Sequence, residues 1–318
     1  MRMPRFPHPR ALTCTYMTVD KLGFVGFGEA AYHLAKGLRG EGVKVISAFD
    51  IHSGDAKLGA KIQTRAREVG VALMDSSAAL AASADILLSA VTADQAVRAA
   101  EQTGAELTAR HLYADLNSIS PKAKERVAAS ASVNGAAFCE IAVMGPIPPY
   151  GHKAPMLLGG SGAELFQQLF APLGMRMEIV STDVVGRAAA VKMFRSIVYK
   201  GIEALLFECV LGAGQYGAEE RVFASLKESL PGVDWKKLAD YMVGRVVVHG
   251  ERRAREMDEV AKTLEELGIE PMMASATARR FDWAAQSGLR EHFGGEFPAT
   301  YQHVLDALGT TADLPHRK

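Results

Sequence analysis

Gly23–Gly42, GFVGFGEAAYHLAKGLRGEG, is a β-prone run that turns through glycines into an amphipathic helix. Gly26, Gly28 and Ala31 fill the positions of a G-x-G-x-x-G/A pattern. The first residue of that pattern permits a tight turn, the second lets backbone approach a pyrophosphate, and the third lets helix and strand pack closely. The helix that follows points its N-terminal N–H groups at the phosphates. The next β-prone run, VKVISAFD, ends at Asp50, 24 residues beyond Gly26, where an acidic ribose ligand is expected. A small-residue turn in any α/β protein can imitate such glycines, but the flanking strand, helix and acid favour a dinucleotide site. Its expected residues are Gly26, Phe27, Gly28, Glu29, Ala30, Ala31 and Asp50, with Val91 and Thr92 at the end of a later strand.

From Lys21 to about Ser181, β-prone runs alternate with Ala-rich helical stretches. The runs are LGFVGFG, VKVISAFD, VALM, ADILLSAV, HLYADLN, AAFCEIAV, APMLLGG and MRMEIVS. Strand then helix, repeated, predicts a parallel sheet with crossover helices. After Asp183 the strand signal nearly vanishes, and breakers from Gly212 to Pro298 divide the remainder into five or six helices. The expected organisation is a leader over 1–19, a dinucleotide-binding α/β domain over 20–182 and an all-helical domain over 183–318.

Bulk properties narrow the functional classes. The 318 residues are 48% hydrophobic, enough for two domains with cores. Lys plus Arg equals Asp plus Glu at 36 each, so no global field pulls the chain onto nucleic acid or an anionic membrane. Three scattered cysteines suit a reducing cytoplasm. No apolar run reaches membrane-spanning length, and residues 1–19 lack a secretory core; Met17 is an alternative start.

With the glycine turn in place, the chain resembles the β-hydroxyacid dehydrogenase superfamily, which includes 3-hydroxyisobutyrate and 6-phosphogluconate dehydrogenases. The signature GxGxMGxxMAxNLxxxG aligns without gaps from Gly26 to Gly42; Gly26, Gly28, Ala35, Leu38 and Gly42 match, whereas Ala30, Ala31, Leu34 and Gly37 depart. Three more stretches follow in the same order. DLNSISP, Asp115 to Pro121, looks like the acidic strand end and its substrate loop. EIAVMGPIPPYG, Glu140 to Gly151, is similar to DAPVSGG, with Met144 and Pro146 altered. GRAAAVKMFRS, Gly186 to Ser196, looks like GxxxxxKxxxN, with Ser196 in place of Asn.

The resemblance implies a Rossmann-like, doubly wound parallel sheet followed by an all-α domain. It implies hydride transfer between a nicotinamide cofactor and a small hydroxy acid or its carbonyl counterpart, with Lys192 as acid/base and no metal. NAD is expected over NADP because the Asp50 carboxylate would repel a 2′-phosphate, with His52 and Lys57 the nearby basic candidates. The implied substrate contacts are Asn117, Ser118, Met144, Gly145, Ser196 and Arg253, around an anionic small molecule. A homodimer through the helical domain is also expected. The alternatives are an imine reductase, whose members commonly lack the lysine found here at 192, and a non-catalytic nucleotide sensor.

The residues themselves add a polar arc to a helix predicted from Val184 to about Leu211. At ~100° per residue, Lys192, Arg195, Ser196, Tyr199, Lys200 and Glu203 share one side. Such a stripe is either solvated surface or part of a cleft wall. In HGERRAREM, His249, Arg252, Arg253 and Glu256 share a second helix face, either as a surface ion network or as a carboxylate-binding group.

Overall fold

The computed structural model describes residues 19–310. The leader read over 1–19, with Met17 and Cys14, lies outside the described residues apart from Val19.

Eight short strands form one sheet: β1 (Lys21–Val25), β2 (Val45–Phe49), β3 (Ala72–Leu73), β4 (Ile86–Ser89), β5 (Leu112–Asp115), β6 (Ala137–Val143), β7 (Met156–Gly159) and β8 (Met177–Ser181). Their order is β3-β2-β1-β4-β5-β6-β7-β8. The central strands are apolar on both faces, as a sheet covered by helices requires: β4 is buried throughout, and so are the last four residues of β1. The crossovers are α1 (Glu29–Gly40), α2 (Gly59–Val69), α3 (Ser77–Ser83), α4 (Ala96–Gly104) and α5 (Pro121–Ala131). The chain reverses direction across the sheet between β1 and β4, the switch point where such sheets open a ligand crevice.

One pairing departs from the all-parallel expectation, because β7 runs antiparallel to β6. The intervening stretch carries Pro146, Pro148, Pro149 and Pro155 and forms only two short turns, α6 (Ile147–Tyr150) and a 3-10 turn over Gly151–Lys153. A parallel return needs a crossover of a dozen or more residues, usually a helix, and these prolines prevent one. α7 (Ala163–Phe170) then restores parallel pairing between β7 and β8.

The second half is helical: α8 (Arg187–Gly214), α9 (Glu219–Ser229), α10 (Trp235–Glu266), α11 (Met272–Gln286), α12 (Leu289–His292) and α13 (Tyr301–Thr310). α8 starts three residues later than expected, since Gly186 takes the left-handed conformation at φ +97 immediately before it. Phe207, Val246, Met257, Phe281 and Val304 are fully buried in its core. Among the described residues no helix is long and apolar enough to cross a membrane.

The chain divides into two compact units. One holds 19–117 and 127–183; the other holds Ser118–Arg126 and 184–310. The expected single boundary after residue 182 therefore misses Ser118–Arg126, which belongs to the helical unit. Within that unit Pro121 lies against Gly186, close enough that a Cβ on Gly186 would stand 3.1 Å from it.

Candidate functional site

In the first unit the glycine turn is held from three directions. Gly26 donates its N–H to Phe49 O at 2.8 Å, and Phe27 donates its N–H to Asp50 Oδ2 at 2.8 Å. Gly26 has φ +83, and a Cβ there would meet Val91 at 2.7 Å and the Ala90 carbonyl oxygen at 2.8 Å. Only glycine fits, on both torsional and steric grounds. Gly28 is the opposite case: a Cβ on it would meet nothing within 4 Å. The space beside Gly28 is open, and α1 begins there without a side-chain cap. Uncapped N–H groups beside an unobstructed backbone are what a pyrophosphate binds.

A cavity of about 380 Å³ opens at this turn, bounded by Gly26, Gly28, Asp50, His52, Val91 and Thr92 among others. Glu29 and Ala30 also line it. Phe27 and Ala31 do not: both are fully buried, so Phe27 contributes its backbone and Ala31 lets α1 pack on the sheet. The lining thus combines an open glycine turn with an acid at the end of β2, the features a nucleotide's pyrophosphate and ribose require.

Gln95, Arg98, Ala99, Gln102 and Thr103 form a wall of the same cavity from α4 and the residue preceding it. Their three- and four-residue spacing was the available signal, and sequence reading missed it. Arg98 also corrects the expectation that His52 and Lys57 are the nearby basic groups. Arg98 lines the cavity, and Lys57 is not among its lining residues.

Asn117, expected at the substrate, is buried and committed within the first unit. Its side-chain amide donates to Ser89 Oγ at 3.0 Å and Asp115 Oδ1 at 2.5 Å, and its Oδ1 accepts the Val91 N–H at 2.8 Å. Asn117 therefore fixes the loop after β4 that borders the cavity. Met144 and Gly145 are half-buried after β6, where Met144 N–H bonds Pro155 O at 2.8 Å.

In the helical unit Ser118 is exposed, and Ser120 is the residue that caps α5, its hydroxyl accepting the Ala123 N–H at 3.2 Å. The polar arc of α8 is solvated only in part: Arg195 is exposed and Lys192, Ser196 and Tyr199 are half-buried. Lys200 and Glu203 are buried, whereas Val191, Phe194, Val198 and Leu205 are exposed. Lys200 Nζ pairs with Glu256 Oε2 at 2.7 Å rather than with Glu203. Glu203 accepts from Arg245 Nε at 3.1 Å and also pairs with Arg253. Arg253 is 3% exposed, and its Nε has no hydrogen-bond partner among the described residues. Ser196 donates its hydroxyl to the Lys192 carbonyl at 3.0 Å, a helix back-bond in place of a side-chain amide.

Lys192 is half-buried and forms no ion pair among the described residues. Burial pushes its ammonium down to about 8; Glu256 opposes the shift, while Lys124, Lys200 and Arg252 reinforce it. Burial also disfavours ionisation of Glu256, yet Lys200 and Arg252 hold its carboxyl at about 2. His249 is pushed down to about 4 by burial and by Arg252, Arg245 and Arg253, so it is neutral near pH 7, and its ring meets Phe297 edge-on. The arrangement holds one lysine near neutrality among fixed cations, as proton transfer to and from an oxygen demands.

Residues 21–177 match the NAD binding domain of 6-phosphogluconate dehydrogenase, and residues 213–284 match a domain of unknown function, DUF1932. A conserved hypothetical protein from Sinorhizobium meliloti 1021 is 33% identical, with 92% of this chain and 96% of that one covered, at a TM-score of 0.76. The conserved protein MTH1747, described as structurally similar to 3-hydroxyacid dehydrogenases, is 32% identical over 86% of this chain and 99% of its own, at 0.70. The Mycobacterium tuberculosis 3-hydroxyisobutyrate dehydrogenase shares the fold at 17% identity and 0.68, with 92% and 99% covered. An NAD(P)-binding turn, a doubly wound sheet, a following helical unit and these relatives lead to one assignment: the chain belongs to the β-hydroxyacid dehydrogenase superfamily.

Proposed function

We propose that the protein is an NAD(P)-dependent oxidoreductase that moves hydride between its cofactor and a small anionic hydroxy acid or the matching carbonyl acid, with Lys192 as acid/base. The observation that carries this reading is the Lys192 ammonium, held down to about 8 by burial among Lys124, Lys200 and Arg252 and without an ion pair among the described residues. Bound nicotinamide would supply or accept the hydride. In reduction Lys192 stabilises the negative charge growing on the carbonyl oxygen and then gives it a proton; in oxidation the neutral amine takes the hydroxyl proton.

The turn from Gly26 to Ala31 would hold the pyrophosphate, with Asp50 at the ribose and Val91 and Thr92 bordering the cofactor. NAD is preferred, since Asp50 repels a 2′-phosphate; Arg98 and His52 limit that preference by placing positive charge on the same cavity. Ser118, Met144, Gly145 and Ser196 contact the substrate. Asn117 serves it through the loop after β4, and Arg253 through the guanidinium edge not taken by Glu203. The exposed stripe Val191, Phe194, Val198 and Leu205 supports a homodimer through α8. A reducing cytoplasm suits Cys139 and Cys209, which form no disulfide among the described residues.

The test is a hydroxy-acid and keto-acid panel with both cofactors, followed by nicotinamide absorbance. Turnover that depends on Lys192 supports the reading. Tight NADH binding without turnover of any panel member would make the protein a nucleotide sensor instead.

A further inference from the structure

We infer that the substrate is a dianion: besides the reacting hydroxyl or carbonyl oxygen it carries two negative charges, as two carboxylates or as one phosphonate or phosphate. This deepens the hydride-transfer reading and rests on Lys192 acting at the substrate oxygen. Two acids of the helical unit are each shared between bases. Glu256 serves two cations, Lys200 at 2.7 Å and Arg252 one turn away on its own helix. Glu203 likewise serves two, Arg245 at 3.1 Å and Arg253. Lys192 forms no ion pair among the described residues. Each of these acids is thus shared between two bases, and the positive excess persists when Lys192 is neutral.

Excess charge of one sign in a half-buried layer is costly unless an opposite charge arrives from outside. A single substrate carboxylate offsets less of the excess than a dianion does. Helix geometry supplies the place for the second negative group. Lys192, Ser196 and Lys200 stand four residues apart along one face of α8, so the two lysines are rooted about 12 Å apart at 1.5 Å per residue. Between them the side chain is short: the Ser196 hydroxyl is folded back onto the Lys192 carbonyl. An oxygen at Lys192 and an anionic group at Lys200 and Arg252 can then belong to one small molecule. Arg252, with 59% of its side chain exposed, still has guanidinium edges to offer a planar or tetrahedral anion.

The experiment compares kcat/KM for malate, 2-hydroxyethylphosphonate and the monoanion 3-hydroxypropionate, and measures the melting temperature of the cofactor-free protein in malonate, methylphosphonate and acetate at equal ionic strength. A preference of at least ~10-fold for one dianion is expected, and malate against the phosphonate identifies the second group. Arg252→Gln, at an exposed side chain, should shrink that preference, and Lys200→Met should shrink it further. Equal or better turnover of 3-hydroxypropionate, or an Arg252→Gln variant that lowers all three by one common factor, would overturn the inference. If none of the three turned over, the hydride-transfer reading would be the one in trouble. The dianion inference would then stand only if malonate or methylphosphonate, but not acetate, raised the melting temperature and Arg252→Gln abolished the rise.

Discussion

The carboxylate of Asp50 accepts the backbone N–H of Phe27 at 2.8 Å through one oxygen and that of His52 at 2.9 Å through the other. The acid at the end of β2 thereby anchors the glycine turn as well as facing the cofactor cavity. Asp50→Ala should weaken NADH binding by about 10-fold or more, the scale of one lost hydrogen bond to a charged group. The same change should narrow the difference between NADH and NADPH. Fluorescence titration with both cofactors reads each effect, and tighter NADPH binding by the unaltered protein would reverse the NAD preference.

Lys192→Met keeps a long apolar stem and removes the charge. The dinucleotide cavity is built entirely from the first unit, so NADH affinity should stay near its original value. Turnover should fall by ~100-fold or more, the usual loss for a general acid or base. A variant that turned over normally but melted earlier would make Lys192 structural.

The pH profile follows from the protonation state each direction needs. Oxidation requires the neutral amine, so kcat/KM should rise with pH and level off above about 8; reduction requires the ammonium and should fall above the same point. Glu256 is the group that favours the charged lysine, so Glu256→Gln should move the break to lower pH. A profile without a break between neutrality and the ordinary lysine range would remove Lys192 from the proton transfer.

Gly37 occupies the position where the superfamily signature has Asn, and the structure supplies a reason. A Cβ there would stand 1.9 Å from His152 Nδ1, and His152 is buried against α1 beside Glu41. Gly37→Asn should cost about 2 kcal/mol or more through overpacking. Gly37→Asn combined with His152→Ala should recover much of that loss in a denaturant titration, a non-additivity that a simple helix-propensity effect would not give.

The exposed apolar stripe on α8 predicts a dimeric mass by light scattering at micromolar concentration. Val198→Glu, in the middle of the stripe, should shift the mass toward the monomer. A monomeric mass for the unaltered protein would leave the stripe unexplained by self-association.

Much of this was legible in the sequence because periodicity reports burial. Among the described residues all eight strands coincide with β-prone runs, and the helix-rich half resolves into six helices bounded near its glycines and prolines. The antiparallel β7 was not legible in strand composition, since direction depends on what the intervening chain can form, and four prolines there precluded a crossover helix. Spacing placed Arg252, Arg253 and Glu256 on related faces but could not say which partner each would take. Arg253 turned to Glu203, 50 residues away, and Lys200 to Glu256. Such pairings depend on how α8 and α10 pack, which is set by core residues such as Phe207 and Met257 and not by the charged residues themselves. Asn117 illustrates the same limit, since two of its three bonds go to Ser89 and Val91 at and after the end of β4, which only the folded sheet brings near.

Ser118–Arg126 gives the chain an interleaved plan, for the polypeptide passes between its two units at 117, at 126 and again at 183. A fragment begun at residue 184 would leave behind the start of α5, with the buried Lys124 and the Pro121 that lies against Gly186. Neither unit can be lifted out with a single cut, and grafting either onto a relative would require exchanging the short segment as well. The loop after β5 thus travels with the helical unit although it sits between strands of the other unit in the chain.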